Sequence, residues 1–263
     1  MTEERWRFVD SGRRSGAENM AVDQAMLKAH AAGETPPTLR VYGWRPPAVS
    51  LGRFQLVEGS VEAEACARLG IDVVRRPTGG RAILHTEEEV TFSVVVSAAR
   101  LGTTGVMEAY RRLAGGIVGA LRSLGLEARL VERAGAFGAA ARDPACFAVK
   151  ARCDLVVGSS KLVGSAQVQR GGVVLQQNSL PLRIRVEQWR EVFLRPESRP
   201  EAVGLWEAAG RRIGCEEVAG ALREGFGEAL GVAFEEEGLG EGELGRLEEL
   251  KEKARVSGAE AMC

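Results

Sequence analysis

The run from Arg75 to His85 combines side chains that bind anions with backbone that a ligand can approach closely. It reads Arg-Arg-Pro-Thr-Gly-Gly-Arg-Ala-Ile-Leu-His, and Gly79 and Gly80 carry no Cβ that would collide with a ligand. Arginine side chains beside glycine amides favour a carboxylate, a phosphate or a carbonyl. The same residues also suit an ordinary turn between two strands. A second segment is therefore needed to decide the chemistry.

Cys146 and Lys161, which lie later in the chain, are candidates for catalysis. Cys146 follows an Ala- and Gly-rich stretch over 134–144 that predicts a loop, and it precedes a predicted strand, where a nucleophilic thiol would be accessible. A lone cysteine is, however, more often a small buried apolar residue. Lys161 begins a predicted strand after a turn, where lysines are usually solvated. The chain has only five lysines, and the small neighbours of Lys161 leave room for a ligand.

The remaining reactive side chains have simpler interpretations. His85 is more often a structural histidine than a base, and the acidic triplet 87–89 favours a solvated turn. Neither a G-x-x-x-x-G-K-[ST] phosphate loop nor a G-x-G-x-x-G fingerprint occurs. We expect Cys66 and Cys215 to pack on helices, Cys153 to lie in a strand core and Cys263 to be terminal.

Composition excludes several classes of function. The 263 residues carry a net charge of −1, which gives no field for nucleic acid or an anionic membrane. No apolar stretch nears the ~20 residues of a membrane span, and the charged N-terminus lacks a signal-peptide pattern. The five cysteines show no C-x-x-C spacing, so neither a disulfide framework nor a metal site is expected. We predict a cytoplasmic protein.

The periodicity of the chain predicts an α/β (α+β) fold. Predicted strands cover 38–42, 48–51, 71–74, 89–97, 153–157, 161–168 and 173–176, and predicted helices cover 16–32, 58–69 and 106–124. Beyond Pro181 the pattern changes to helices and loops, with a flexible connector predicted over 235–243. The sequence therefore predicts a catalytic domain over 1–182 and a helical C-terminal extension over 183–263, packed on or appended to it.

Taken together, the motifs resemble the biotin/lipoate ligase and lipoyl-transferase family. The run 75–85 matches the family's R-R-x-x-G-G-[GR]-A-[VI]-x-H segment, and 161–167 matches its K-[IVL]-x-G-x-A-[QR] segment. Segments 20–23, 37–44 and 174–180 are also similar to family segments, in the same order. The resemblance covers about residues 18–182 and implies a mixed sheet flanked by helices.

Arg81 bears on the branch of the family. ATP-using lipoate ligases have a third glycine at this position, followed by H-D-x-G-N, whereas here His85 precedes Thr86-Glu87-Glu88-Glu89-Val90-Thr91-Phe92-Ser93. This version resembles the relay-type octanoyltransferases that load the glycine-cleavage H protein. Those enzymes also carry a cysteine before a phenylalanine upstream of the lysine, as Cys146 does.

The resemblance assigns roles to particular residues. Cys146 would be the nucleophile, and Lys161 would either stabilise its thiolate and accept a proton from the incoming amine or only hydrogen-bond the acyl carbonyl. The expected substrate-binding residues surround them: Arg76, Gly79, Gly80 and Arg81 border the acyl carbonyl, His85 supports them from behind, and Gly164, Ser165 and Ala166 form the floor of an apolar slot.

The resemblance also implies partners and leaves alternatives open. An octanoyltransferase takes its donor as octanoyl-acyl carrier protein and needs no cofactor, and its acceptor is the glycine-cleavage H protein or an E2 lipoyl domain. An ATP-dependent lipoate ligase, which would need ATP and Mg²⁺, is the first alternative. An amidotransferase between carrier domains and a lipoate- or biotin-sensing regulator are lesser ones, the last lacking a basic recognition helix.

Overall fold

The computed structural model describes residues 4–131, 144–148, 154–194 and 201–256. Its strands are β1 (Glu4–Arg14), β2 (Thr38–Trp44), β3 (Ala48–Leu51), β4 (Asp72–Arg75), β5 (Ile83–His85), β6 (Glu89–Ser97), β7 (Ala128–Leu130), β8 (Leu155–Val157), β9 (Ser160–Arg170), β10 (Val173–Pro181) and β11 (Val232–Glu236). Its α-helices are α1 (Gly16–Ala31), α2 (Ala63–Arg68), α3 (Val106–Ser123), α4 (Val186–Val192), α5 (Leu205–Ala209), α6 (Cys215–Leu230), α7 (Glu241–Leu244) and α8 (Leu247–Ala254). A 3₁₀ helix spans Cys146–Ala148.

The strands form two mixed sheets. The large sheet has eight strands in the order β11-β1-β2-β6-β10-β9-β8-β7, and the small sheet has three in the order β4-β3-β5. In the large sheet, β1 runs parallel to both β11 and β2, while the pairs from β2 to β7 are antiparallel. The architecture is the mixed α/β sheet flanked by helices that the sequence predicted, and this prediction is confirmed.

The central strands are covered on both faces, because successive side chains of a strand point in opposite directions. Val90, Phe92 and Val94 of β6 pack with α3 and α6 in the main hydrophobic core. The alternate residues of β6, Thr91 and Ser93, are buried on the other face. That second face lies against α1 and the small sheet, and it carries the polar residues of the site.

Strand pairing aligns two rows of residues across this second face: Tyr42–Thr91–Ser179–Gly164 and Arg40–Ser93–Gln177–Ala166. Each row therefore joins β2, β6, β10 and β9. Gly164 ends the first row and Ala166 ends the second, and both belong to the motif at 161–167. The small sheet brings the Arg75–His85 run to the same place, because β4 and β5 flank its central strand β3.

The part of the chain beyond residue 182 packs directly on the rest. Strand β11 pairs with β1 at the sheet edge, and α6 packs on α3 so closely that a Cβ at Gly225 would lie 2.4 Å from the Ala120 nitrogen. The backbones of Ala202 and Lys161 form a parallel β-bridge, and the Lys161 amide donates to the Glu201 carbonyl. The division at residue 182 stays a prediction.

Local predictions were confirmed for the long helix over 106–124 and for the hairpin around 158–160, whose observed strands are β8 and β9. Strand β1 was not predicted. The predicted flexible connector over 235–243 is wrong, because it contains the end of β11 and most of α7, and Glu243 forms a buried ion pair with Arg7 at 2.5 Å. The predicted loop over 134–144 lies outside the described residues except for Pro144.

Two further local predictions are corrected. Cys146 begins a 3₁₀ helix rather than preceding a strand directly. Glu89, at the end of the acidic triplet, is only 3% exposed, so the solvated-turn interpretation is wrong for this residue. Across the described ranges, no helix combines the length and the apolar character needed to cross a bilayer.

Candidate active site

Cys146 is fixed beside the Gly-Gly turn by backbone pairing. Its amide donates to the Ala82 carbonyl at 2.8 Å, and the Ala82 amide donates to the Pro144 carbonyl at 2.9 Å. A parallel bridge joins Ala82 to Ala145. The two segments that the sequence singled out separately are therefore neighbours, and the thiol is only partly buried, as an accessible nucleophile requires.

Lys161 places an ammonium against the Cys146 sulfur. Its Nζ lies 3.2 Å from Sγ and 3.0 Å from the Cys146 carbonyl oxygen, and it forms an ion pair with Asp154 Oδ2 at 2.8 Å. An ammonium has three donors, and these three acceptors satisfy them. The side chain is fully buried, so the interpretation of Lys161 as a solvated hairpin lysine is wrong.

The surroundings keep Lys161 charged. Burial by itself would lower the pKa of its ammonium, but the adjacent Cys146 sulfur, when ionised, and the Asp154 carboxylate outweigh burial and raise that pKa above its ordinary value. The Phe147 ring adds a cation–π contact, with its centroid 4.9 Å from Nζ. A fixed positive charge at this distance stabilises a thiolate, the reactive form of cysteine.

Arg76 holds the shape of the Gly-Gly turn. Its Nη2 donates to the carbonyls of Gly79 and Arg81, both at 2.7 Å, and its Nη1 donates to the Ser50 carbonyl at 2.7 Å. Burial lowers the pKa of this guanidinium to about 10, which still leaves it charged at neutral pH. Arg76 therefore braces the backbone beside Cys146, and its predicted contact with an acyl carbonyl stays a prediction.

The turn needs glycine for space and for conformation. Gly80 has φ +91°, and a Cβ there would lie 3.0 Å from Arg76 Nη2. Its carbonyl packs against Gly52, where a Cβ would come within 1.9 Å of the Gly80 oxygen. Around Gly79, in contrast, an added Cβ would have open space. The turn is therefore packed against protein atoms at Gly80, whereas the space next to Gly79 is free.

Gly164 leaves the space next to the sulfur free. A Cβ at this position would lie 3.6 Å from Cys146 Sγ, 3.4 Å from Lys161 Cε and 3.5 Å from Phe147 Cζ. Ala166, two residues further along β9, lies on the same face of the strand and lines a small cavity. The cavity therefore shares a face of β9 with Gly164, the glycine beside the Cys146 sulfur.

The cavity has an apolar wall and a polar frame. Met20, Tyr42, Trp44 and Ile83 line it together with Ala166. The polar residues on its border hydrogen-bond mainly within the protein: Gln177 accepts from Thr78 at 2.7 Å and donates to Asp23 at 2.7 Å, and Tyr42 also donates to Asp23. Burial, together with the Asp23 carboxylate, raises the pKa of the Tyr42 hydroxyl well above its usual range. This lining favours an apolar group over an ionised one.

His85 forms the far side of the cavity in a buried network. Its Nδ1 lies 2.8 Å from Glu89 Oε1 and its Nε2 lies 2.7 Å from Ser50 Oγ, which also accepts from Arg76. The ring stacks on Trp44 with centroids 3.9 Å apart. His85 thus supports Ser50 and, through it, Arg76, and its predicted role in substrate binding stays a prediction.

The other predicted residues are placed as follows. The Arg81 carbonyl is bound by Arg76, and its side chain is half-buried. Ser165 donates to Asn178 Oδ1 at 2.8 Å, and alternation along β9 points it away from the face of Gly164 and Ala166. Cys66 is buried, which raises the pKa of its thiol to about 11, and Cys215 is exposed. Cys153 and Cys263 lie outside the described residues.

Asp154 is the functional candidate that sequence reasoning missed. It is 2% exposed and binds the Lys161 ammonium from the adjacent strand of the hairpin. The available signal was a carboxylate directly before the apolar run Leu155–Val157, because a charged residue entering a buried strand needs a buried partner. Lys161, across the hairpin, is that partner.

Comparisons with known proteins show which family the chain resembles. Residues 15–227 match the model of the lipoyl protein ligase A/B catalytic domain. The chain is 44% identical to "Octanoyltransferase LipM" of Kyrpidia tusciae, over 88% of this chain and 89% of that protein. It is 36% identical to "Octanoyltransferase LipM" of Bacillus subtilis, over 98% of both chains.

Solved structures share the fold. A lipoate-protein ligase A bound with ATP has a TM-score of 0.79 at 26% identity, covering 96% of this chain and 95% of that one. A bi-partite lipoate protein ligase from Thermoplasma acidophilum has a TM-score of 0.79 at 25% identity, covering 95% and 93%. The chain therefore belongs to the lipoyl protein ligase A/B catalytic domain family, as its motifs predicted.

Proposed function

We propose that this chain is an octanoyltransferase of protein lipoylation, which holds the octanoyl group on Cys146 between a thioester donor and a lysine acceptor. The observation that carries the proposal is the Lys161 ammonium 3.2 Å from the Cys146 sulfur, while Ala166 of the same strand lines an apolar cavity. A nucleophile, a cation that activates it and a slot for a hydrocarbon chain are the parts that acyl transfer through cysteine needs. The names of the relatives support the same activity.

In the first half-reaction, the Cys146 thiolate attacks the thioester carbonyl of octanoyl-acyl carrier protein. The bond from the carbonyl carbon to Cys146 Sγ forms, and the bond to the carrier sulfur breaks. The departing carrier thiolate takes a proton from the Lys161 ammonium, which Asp154 holds in place. Octanoate then remains on the enzyme as a thioester, with Lys161 as the neutral amine.

In the second half-reaction, the neutral amine of an acceptor lysine attacks the acyl-enzyme. An amide bond forms, the Cys146 thioester bond breaks, and the amine's surplus proton passes to Lys161. The enzyme returns to its starting charge state, a thiolate beside an ammonium. The thioester donor already supplies the activation, so the cycle requires neither ATP nor a metal.

The cavity provides binding energy for the acyl chain. Burying six or seven methylenes at about 0.8 kcal/mol each contributes roughly 5 kcal/mol. Gly164 leaves room for the acyl carbonyl beside the sulfur, and Ala166 continues the same face into the cavity. The apolar wall therefore selects a hydrocarbon chain, while the polar frame stays hydrogen-bonded to the protein.

The direct test is the formation of an acyl-enzyme without nucleotide. Purified protein incubated with octanoyl-acyl carrier protein in the absence of ATP is expected to gain one octanoyl group on Cys146, located by peptide mass spectrometry. Cys146→Ser should abolish the thioester adduct. Octanoylation that requires ATP and Mg²⁺ would instead support the lipoate-ligase alternative, which the fold also accommodates.

The acceptor is fixed by protein surfaces rather than by the cysteine. We propose a lipoyl-accepting protein, either the glycine-cleavage H protein or an E2 lipoyl domain. Parallel assays with both acceptors and the same acyl-enzyme compare their rates of octanoyl-lysine formation. Transfer to one acceptor alone identifies the physiological branch.

A further inference from the structure

Two surface depressions lie near the Cys146 segment, and the first is lined by Phe147, the residue after the nucleophile. Ala82, Ile83, Phe147 and Ile184 line this first depression. The second depression is open to solvent and shares Arg183 and Ile184 with the first. The two depressions therefore adjoin, and we call them together the groove.

The inner end of the groove lies next to the nucleophile. Phe147 follows Cys146 in the chain, and its ring is the cation–π partner of Lys161. Ile83 lines both the groove and the acyl cavity. A thioester whose carbonyl sits at Cys146 can therefore place its acyl chain in the cavity and its thiol-side substituent in the groove.

The outer end of the groove is cationic. Arg183 and Arg212 line it, and within the described ranges neither guanidinium has a carboxylate within ion-pair distance. Two other arginines are paired: Arg185 with Glu88 at 2.6 Å and Arg211 with Glu217 at 2.7 Å.

The groove also carries carboxylates and apolar surface. Glu89 is buried and hydrogen-bonded to His85, and Glu207 is exposed at the outer depression. Trp206, which contacts Arg212 through its ring, adds apolar surface. An uncharged chain that ends in a phosphate matches this order of apolar and then cationic lining.

We propose that this groove binds the acylated phosphopantetheine arm of the donor, with Arg183 and Arg212 at its phosphate. The inference rests on the proposed function, because it concerns the donor of the same acyl transfer. The arm occurs on acyl carrier protein and on coenzyme A, and the shared chemistry is the phosphate at the far end of the chain from the thioester.

The test compares donors with and without that phosphate. Octanoyl-N-acetylcysteamine, octanoyl-pantetheine, octanoyl-phosphopantetheine, octanoyl-CoA and octanoyl-acyl carrier protein are each reacted with the wild-type protein and with Arg183→Gln/Arg212→Gln. The matched control is Arg122→Gln, which removes an exposed arginine that lines neither depression. Alkylation of Cys146 by iodoacetamide checks that each variant keeps its site intact.

The double variant is expected to lose about tenfold in kcat/KM, mostly through KM, with the three phosphate-bearing donors. It should react with the two phosphate-free donors within about twofold of wild type, and Arg122→Gln should match wild type with all five. Equal losses with all donors, or no loss with any, would overturn the assignment.

Two further outcomes separate the causes of failure. A loss confined to octanoyl-acyl carrier protein overturns the arm assignment, because the arginines then contact the carrier's protein surface instead. Wild-type protein that no donor acylates at Cys146 overturns the proposed function and the groove together. The groove assignment alone is overturned if octanoyl-N-acetylcysteamine acylates Cys146 but the double variant reacts with the phosphate-bearing donors at wild-type rates.

Discussion

At the scale of single residues, the candidate site is a row of contacts from Asp154 through Lys161 to Cys146. The sequence predicted Cys146 and Lys161 because both occur in motifs, and the structure places their side chains in contact. Asp154 was not predicted because its partner is set by hairpin register, which sequence spacing leaves open. The Arg75–His85 run was predicted as a ligand seat, yet Arg76 donates its hydrogen bonds to backbone carbonyls.

The buried Asp154–Lys161 pair gives a stability prediction. Asp154→Asn leaves the ammonium without its carboxylate, so the free energy of unfolding should fall by about 3 kcal/mol. Asp154→Leu/Lys161→Met leaves no unpaired charge and should recover at least about 1 kcal/mol of that loss. Urea unfolding followed by circular dichroism at neutral pH measures both.

Glu217→Gln is the matched control, because it removes a carboxylate from an exposed pair with Arg211 and should leave the midpoint nearly unchanged. A double variant no more stable than Asp154→Asn would contradict the view that Asp154 compensates a buried ammonium.

At the scale of secondary structure, strand β9 of the large sheet and the turn before β5 of the small sheet bring the site together. Strand β9 carries Lys161, Gly164 and Ala166, while the turn before β5 fixes the Cys146 segment through Ala82. The strong local patterns, such as the helix over 106–124, were predictable because they depend on neighbours in sequence. Strand β1 was missed because its partners are β2 and the distant β11, and its side chains do not alternate cleanly.

Gly164 tests whether the strand leaves space for the acyl group. In Gly164→Ala the new methyl makes ordinary contacts of 3.4 to 3.6 Å, so the protein should fold normally. The methyl occupies the space beside Cys146 Sγ, so acyl-enzyme formation with octanoyl-N-acetylcysteamine should slow by about tenfold or more. Stopped-flow or quenched intact-mass kinetics give the rate.

The control for that experiment is Gly220→Ala in α6, where a Cβ meets open space and the backbone is helical. It should acylate at the wild-type rate. Wild-type kinetics in Gly164→Ala would show that the acyl carbonyl lies elsewhere.

At the scale of the whole molecule, residues far apart in sequence enclose the site. The polar rows of the large sheet, the small sheet and α1 surround the acyl cavity, and the segment at 201–203 pairs with the backbone of Lys161. The family and the fold were predictable because the motifs are specific and occur in order. The cavity, the groove and the burial of Lys161 under residues 201–203 were not predictable. They depend on packing between residues far apart in sequence, which a single motif does not specify.

The central claim is that Cys146 carries the octanoyl group on the path to the acceptor lysine. The most direct measurement isolates the octanoyl-enzyme free of donor, mixes it with a lipoyl-accepting protein without ATP, and follows both masses over time. We predict that octanoyl leaves Cys146 and appears on the acceptor lysine at matching rates within one turnover. An acceptor that stays unmodified until ATP is added would contradict the account. So would a Cys146→Ser variant that transfers octanoyl from the donor to the acceptor at the wild-type rate.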